Sequence, residues 1–185
     1  MLKKELHFIK VLVILFTFSL PLLALNKESF FLLPKEKDYA LSEIIRHIDL
    51  AQKNINIAIY SFTNKTIAKK LKNAAARGVN IEIIFDDKST RKKGNRSKLH
   101  YLAKYKNIKT YRLKGKLSKN RKYSGIMHMK VAIIDNKYTI SGSANWSNSA
   151  FSINYEVLSI RKNYAIAKKF NKYFQELKKR ATLFK

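Results

Sequence analysis

From Lys37 onward the apolar positions alternate between two spacings. Over Lys37–Lys53 they fall at Ala40, Ile44, Ile48 and Ala51, three or four apart, which predicts an amphipathic helix. The run NINIAIYSFT from Asn54 is β-branched and bounded by polar residues, and predicts a strand. Asn64–Arg77 returns to helical spacing and closes at Gly78, where a C-terminal glycine belongs. VNIEIIFDD predicts a second buried strand, so strand, helix and strand follow one another in the order of a right-handed parallel crossover. Farther on, Ser97–Tyr105 reads as helix and Ile108–Leu113 as strand, then Met127–Asp135 with Tyr138–Ser143 as a hairpin. Asn154–Ile160 follows as a strand and Tyr164–Arg180 as a terminal helix. There is no internal repeat. The alternation predicts an α/β sandwich with a mixed central sheet flanked by helices.

The first 24 residues break this pattern. MLKKELHFIK is basic on balance, and VLVILFTFSLPLLA is an uncharged run ending in a small residue, the order of a secretory signal. A membrane span needs roughly 20 apolar residues, and Pro21 interrupts a run already shorter than that, while Leu22 is bulky for a cleavage site. Residues 1–24 are therefore expected to be a signal peptide or an N-terminal membrane anchor, and 25–185 the working domain. Either outcome exports the domain, to be periplasmic, membrane-associated or secreted.

Composition narrows the partners. With 185 residues, 46% of them apolar, the chain can bury one real core. Lys and Arg number 39 against 12 Asp and Glu, a net +27; the leader holds three lysines and one glutamate, so +25 stays with the domain. An excess of that size points to a polyanion, nucleic acid or an acidic membrane surface. Cysteine is absent, which excludes disulfides and cysteine-based zinc sites.

The hairpin carries the chemistry. His128 and Lys130 share one strand face, with Met127, Met129 and Val131 on the other. A two-residue turn at Asn136-Lys137 would set His128 opposite Asn145 and Lys130 opposite Ser143. An imidazole, an ammonium, an amide and a hydroxyl would then occupy one patch, which is costly to bury without purpose. A divalent metal suits it poorly: Asp135 has the opposite parity, and the lysine would repel a cation. Phosphate suits it well, because three of the groups donate to phosphoryl oxygens and imidazole can attack phosphorus or transfer a proton.

His128, Lys130 and Asp135 in H-x-K-x-x-x-x-D, followed by Gly142-Ser143-x-Asn145, resemble the signature of the phospholipase D superfamily. The single motif and short chain resemble its bacterial Nuc-type endonuclease branch, and IAIYSFTNKTIAKKLKNAAARGVNIEIIFDD is similar to that branch's first strand, helix and second strand. The resemblance runs from about Asn54 to Ile160. It implies a covalent phosphohistidine formed without metal or other cofactor. It makes His128 the nucleophile, Lys130, Ser143 and Asn145 the phosphate-binding groups, and Glu156 the acid that hydrogen-bonds the histidine. Asp135 is expected to act structurally, in a salt bridge or turn.

In-line displacement needs an acid opposite the nucleophile, and His7, His47 and His100 lack companions for that work. A second copy of His128, brought by a two-fold axis, is the remaining source, so a homodimer with a shared site is expected. Between Lys88 and Lys122 there are 15 Lys or Arg and no Asp or Glu. Arg91, Lys92, Lys93, Arg96, Lys114, Lys116, Lys119, Arg121 and Lys122, with the interleaved Tyr101 and Tyr105, form a candidate nucleic-acid surface that grips phosphates and stacks bases. The expected function is a nonspecific endonuclease favouring single-stranded DNA, with RNA as a second substrate. The alternatives are a hydrolase of anionic lipids such as cardiolipin, and a non-catalytic basic DNA-binding protein.

Overall fold

The structure, a computed structural model, describes residues 28–91 and 96–184. Lys92, Lys93 and the 24-residue leader lie outside the described residues. Strand β1 (Glu28–Leu33) precedes helix α1 (Lys37–Leu50), and β2 (Asn54–Ile59), α2 (Lys65–Ala76) and β3 (Asn80–Asp86) form the strand–helix–strand unit. Asn64 caps α2 through its side chain, which accepts the Ile67 amide at 3.0 Å, and Gly78 leaves the helix at φ +96°. Short helices α3 (Asp87–Arg91) and α4 (Leu99–Leu102) lead into β4 (Ile108–Leu113). The hairpin is β5 (Lys130–Ile134) and β6 (Tyr138–Gly142), followed by α5 (Asn148–Ser152), β7 (Glu156–Lys162), α6 (Tyr164–Lys178) and β8 (Thr182–Leu183).

The eight strands make one mixed sheet in the order β1-β7-β6-β5-β2-β3-β4-β8. β2, β3 and β4 run parallel and every other pairing is antiparallel. Alternation along the strands feeds two cores. Ile55, Ile57 and Ile59 of β2 face α1 and α2, together with Phe85, Ile140 and Leu158. Each buried Ile adds roughly 1.5–3 kcal/mol to the favourable side. On the other face Ala58, Ile84, Tyr111 and Val131 pack under Ala167 and Phe174 of α6. The fold is thus the α/β sandwich with a mixed sheet and flanking helices that the periodicity indicates.

Several details differ. β1 and β8 are edge strands too short or too mixed in polarity to stand out from the sequence. Only Leu99–Leu102 of the expected helix Ser97–Tyr105 is helical, since four residues suffice to bury Leu99 and Leu102. The hairpin register is shifted by one residue. Asp135 and Asn136 both take left-handed φ of 52°, and Ile134 pairs with Tyr138, so three residues connect the strands instead of two. Val131 therefore faces Ser141, and the expected pairs His128–Asn145 and Lys130–Ser143 do not form as ladder partners. The reason lies in Asp135. Its carboxylate accepts the amides of Gln52, Lys53 and Asn54 at 2.9, 2.8 and 3.0 Å, which pulls it into the turn and lengthens the connection.

Candidate active site

The polar groups converge at one end of the sheet, where β2 finishes and β5 begins. His128 lies just ahead of β5 and is exposed, while Lys130 is its first residue and is buried. Lys130 Nζ stands 3.0 Å from His128 Nε2 and donates to the His128 carbonyl at 2.9 Å. The lysine nitrogen carries donors only, so in this contact Nε2 is the accepting atom. Tyr60, the residue after β2, braces both: its ring meets the imidazole edge-on at 4.7 Å, and the ammonium lies 5.4 Å from the ring centroid.

Asp86 sets where the histidine segment begins. Its carboxylate, buried to 1% exposure, accepts the amides of Met127 at 2.9 Å and Ser89 at 2.7 Å. The Tyr60 amide then donates to the Met129 carbonyl at 2.8 Å, fixing the backbone on both sides of His128. Burial lowers the Lys130 pKa from its usual 10.5, and the Glu156 charge partly restores it.

On the returning chain, Gly142 permits a close crossing: a Cβ there would lie 2.0 Å from the Val157 carbonyl oxygen. Ser143 follows, its amide donating to that carbonyl at 3.0 Å and its hydroxyl accepting the Val157 amide at 3.1 Å. The same hydroxyl donates to Glu156. Ser143 thus has no donor to spare for a phosphate unless it releases the carboxylate. Glu156 also accepts from Asn154 at 3.3 Å, and among the described residues of one chain no carboxylate bonds to either ring nitrogen of His128. Asn145 joins the cluster through Ser61, whose amide donates to its Oδ1 at 3.2 Å, leaving the NH2 as the available donor. The next residue, Trp146, is stitched to the end of β2 by backbone bonds with Ser61, Thr63 and Asn64.

A cavity of about 770 Å3 opens beside His128 toward the C-terminal end of α6. Arg91, Lys114 and Lys116 line it, as do Arg112 and Arg180, with Asp87 and Glu176 the only acids among the described residues. Lys119, Arg121 and Lys122 stand exposed on an arm closed by the Leu117–Ser124 bridge and by the Gly125 amide on the Lys116 carbonyl. Arg96 is exposed ahead of α4. Tyr101 and Tyr105 do not line the cavity. They meet edge-to-face at 5.5 Å and pack half-buried against the core beside α2, and bonding to Tyr105 with burial pushes the Tyr101 hydroxyl up to about 12. Sequence reasoning missed Tyr60, Asp86, Arg112, Arg180 and Phe184. Their placement near His128 depends on the tertiary fold, and the only signals in the sequence were the buried parity of Asp86 in VNIEIIFDD and the place of Arg112 within the basic stretch. Among the described residues no three His, Asp or Glu converge to hold a metal, and no helix is long and apolar enough to cross a membrane.

These features have known counterparts. Residues 44–178 match the family model described as cardiolipin synthase, PLD-like domain. NucT from Helicobacter pylori superposes with a TM-score of 0.82 at 43% identity, over 86% of this chain and 99% of that one. Nuc from Salmonella typhimurium, a phospholipase D family member, superposes at 0.71 with 25% identity and the same coverage. A phospholipase D of Rickettsia conorii is 33% identical over 69% of this chain, and a mitochondrial cardiolipin hydrolase of Xenopus laevis 26% identical over 76%. The chain spans 58% and 61% of the length of those two curated relatives. The chain belongs to the phospholipase D superfamily and carries a single H-x-K motif.

Proposed function

We propose that this protein is a nonspecific endonuclease, favouring single-stranded DNA, that cleaves phosphodiesters through a phosphohistidine in a homodimer. The observation that carries the reading is the cavity beside His128, in which five cations stand against two acids. Such a channel tracks a phosphate backbone without reading bases.

His128 Nε2 attacks phosphorus, and the P–N bond forms as the bond to the leaving oxygen breaks. Lys130 and the Asn145 NH2 hold the non-bridging oxygens as charge grows on them. The leaving oxygen takes its proton from the partner copy's imidazole, which then deprotonates the water that attacks phosphorus and frees His128. A surface next to the site fits that partner. Phe30 and Leu32 of β1 and Val157 of β7 are 61%, 58% and 45% exposed on the face that α6 leaves uncovered, adjoining Glu156 and Ser143. A second copy seated there would bury this face and bring its own histidine to the site. Export by the leader remains part of the reading, with periplasmic, membrane-associated or secreted placement.

The relatives described as cardiolipin hydrolases favour a second reading, hydrolysis of anionic lipid with the cations facing headgroups. One panel separates the two. Native protein and His128→Asn are given plasmid, single-stranded DNA, RNA and cardiolipin vesicles, each with and without EDTA. The proposal expects chelator-resistant cleavage of nucleic acid, fastest on single strands, that vanishes in the variant together with an acid-labile phosphoryl adduct. Cleavage of cardiolipin alone would sink it.

A further inference from the structure

Among the described residues, Arg112 is a cation without a salt-bridge partner. Its guanidinium carbon lies 4.5 Å from the centroid of the Phe184 ring. β8 holds that ring in place: Thr182 pairs with Arg112 across the β4–β8 ladder, and the Phe184 amide donates to the Thr110 carbonyl at 2.8 Å. His100 meets the other part of the ring edge-on at 4.9 Å. Yet Arg112 Nε is buried with no hydrogen-bond partner, and among the described residues no carboxylate pairs with the guanidinium. A buried donor left unmade is costly, and the fold accepts that cost while clamping the guanidinium, whose residue lines the cavity, over an aromatic ring. The contrast with Arg91 is instructive, because Asp87 takes that side chain at 2.8 Å and neutralises it. Arg112 and Phe184 line the same cavity as His128, with Arg180 nearby on its wall.

We propose that Arg112, stacked on Phe184, forms a subsite for a second phosphate of the strand whose scissile phosphate lies at His128. The inference rests on the nuclease reading and gives it a length preference. The planar fork offers parallel N–H donors to phosphate oxygens, and stacking on the ring removes the entropy cost of holding it still. A substrate with one phosphate cannot engage the subsite; an oligonucleotide can.

The test compares kcat/KM on an oligothymidylate with kcat/KM on bis(p-nitrophenyl) phosphate, for native protein, Arg112→Gln and Phe184→Leu. Lys37→Gln removes the same charge from outside the cavity and serves as control. The proposal expects Arg112→Gln to lower the oligonucleotide-to-minimal-substrate ratio about tenfold, mainly through KM, and to reduce the salt slope of DNA binding by about one. Phe184→Leu should lower the ratio less, and Lys37→Gln should leave it alone. An unchanged ratio in Arg112→Gln, with the native protein cleaving both substrates, overturns the subsite and leaves the nuclease reading intact. A native protein that turns over the minimal substrate and cardiolipin vesicles but no oligonucleotide overturns both.

Discussion

Burial displaces several titratable side chains from their ordinary behaviour, and Lys130 and His47 each give a measurable pH dependence. Lys130 is buried against Tyr60, which lowers its pKa below 10.5, while Glu156 opposes the shift. Only the protonated ammonium attracts phosphate, so binding of inorganic phosphate should fall as pH rises through a value below 10.5. Glu156→Gln removes the opposing charge, and calorimetric titration should then show the loss of binding at still lower pH; an unmoved or raised midpoint would refute this coupling. His47, on the buried face of α1, is lowered from 6.5 chiefly by desolvation, despite its 2.8 Å bond to the Glu43 carbonyl. A folded-state pKa below the unfolded one means that stability is fully present above pH 6.5 and is lost as pH falls through the folded value. Thermal melts should decline on that acid side, and His47→Leu should flatten the decline. Sequence exposed the site only in part at this scale. His128, Lys130, Ser143, Asn145 and Glu156 stand in a linear pattern, whereas Tyr60 acts across strands and left no pattern to read, and Asp86 left only its buried parity.

Among the elements, the β5–β6 hairpin shows why register was the weak point. Parity along a strand follows from covalent geometry, but pairing between strands depends on the turn. Here the turn is set from outside by the α1–β2 junction, whose three amides are satisfied by Asp135. Removing that carboxylate strands three donors and frees the turn. Asp135→Ala should therefore cost about 2–3 kcal/mol by denaturant titration, with His128 chemistry surviving in the folded fraction; Asp135→Asn should cost less. A variant inactive yet as stable as the native protein would make Asp135 part of the chemistry instead. The basic stretch was legible as charge, but not as two structures. Lys114 and Lys116 line the cavity, while Tyr101 and Tyr105 meet edge-to-face and lie half-buried against the core.

For the whole molecule, the uncovered face of β1 and β7 is the feature with the largest consequence. Leu32→Glu places a charge amid Phe30 and Val157 without touching the core, so the monomer should fold with unchanged melting. On the proposed homodimer, sedimentation should show two chains for the native protein and one for the variant, and cleavage should fall at least a hundredfold as the proposed proton donor leaves with the partner. An active monomer would refute the shared site. The sequence by itself determined the layered α/β class, the single H-x-K motif and the cationic excess, because periodicity, residue type and charge are local properties. The tertiary structure alone decided the hairpin register, the clamp of Phe184 on Arg112 and the parting of the tyrosines from the cavity. Those depend on which segments meet across the sheet, and contacts between residues far apart in the chain are fixed only when the whole core packs.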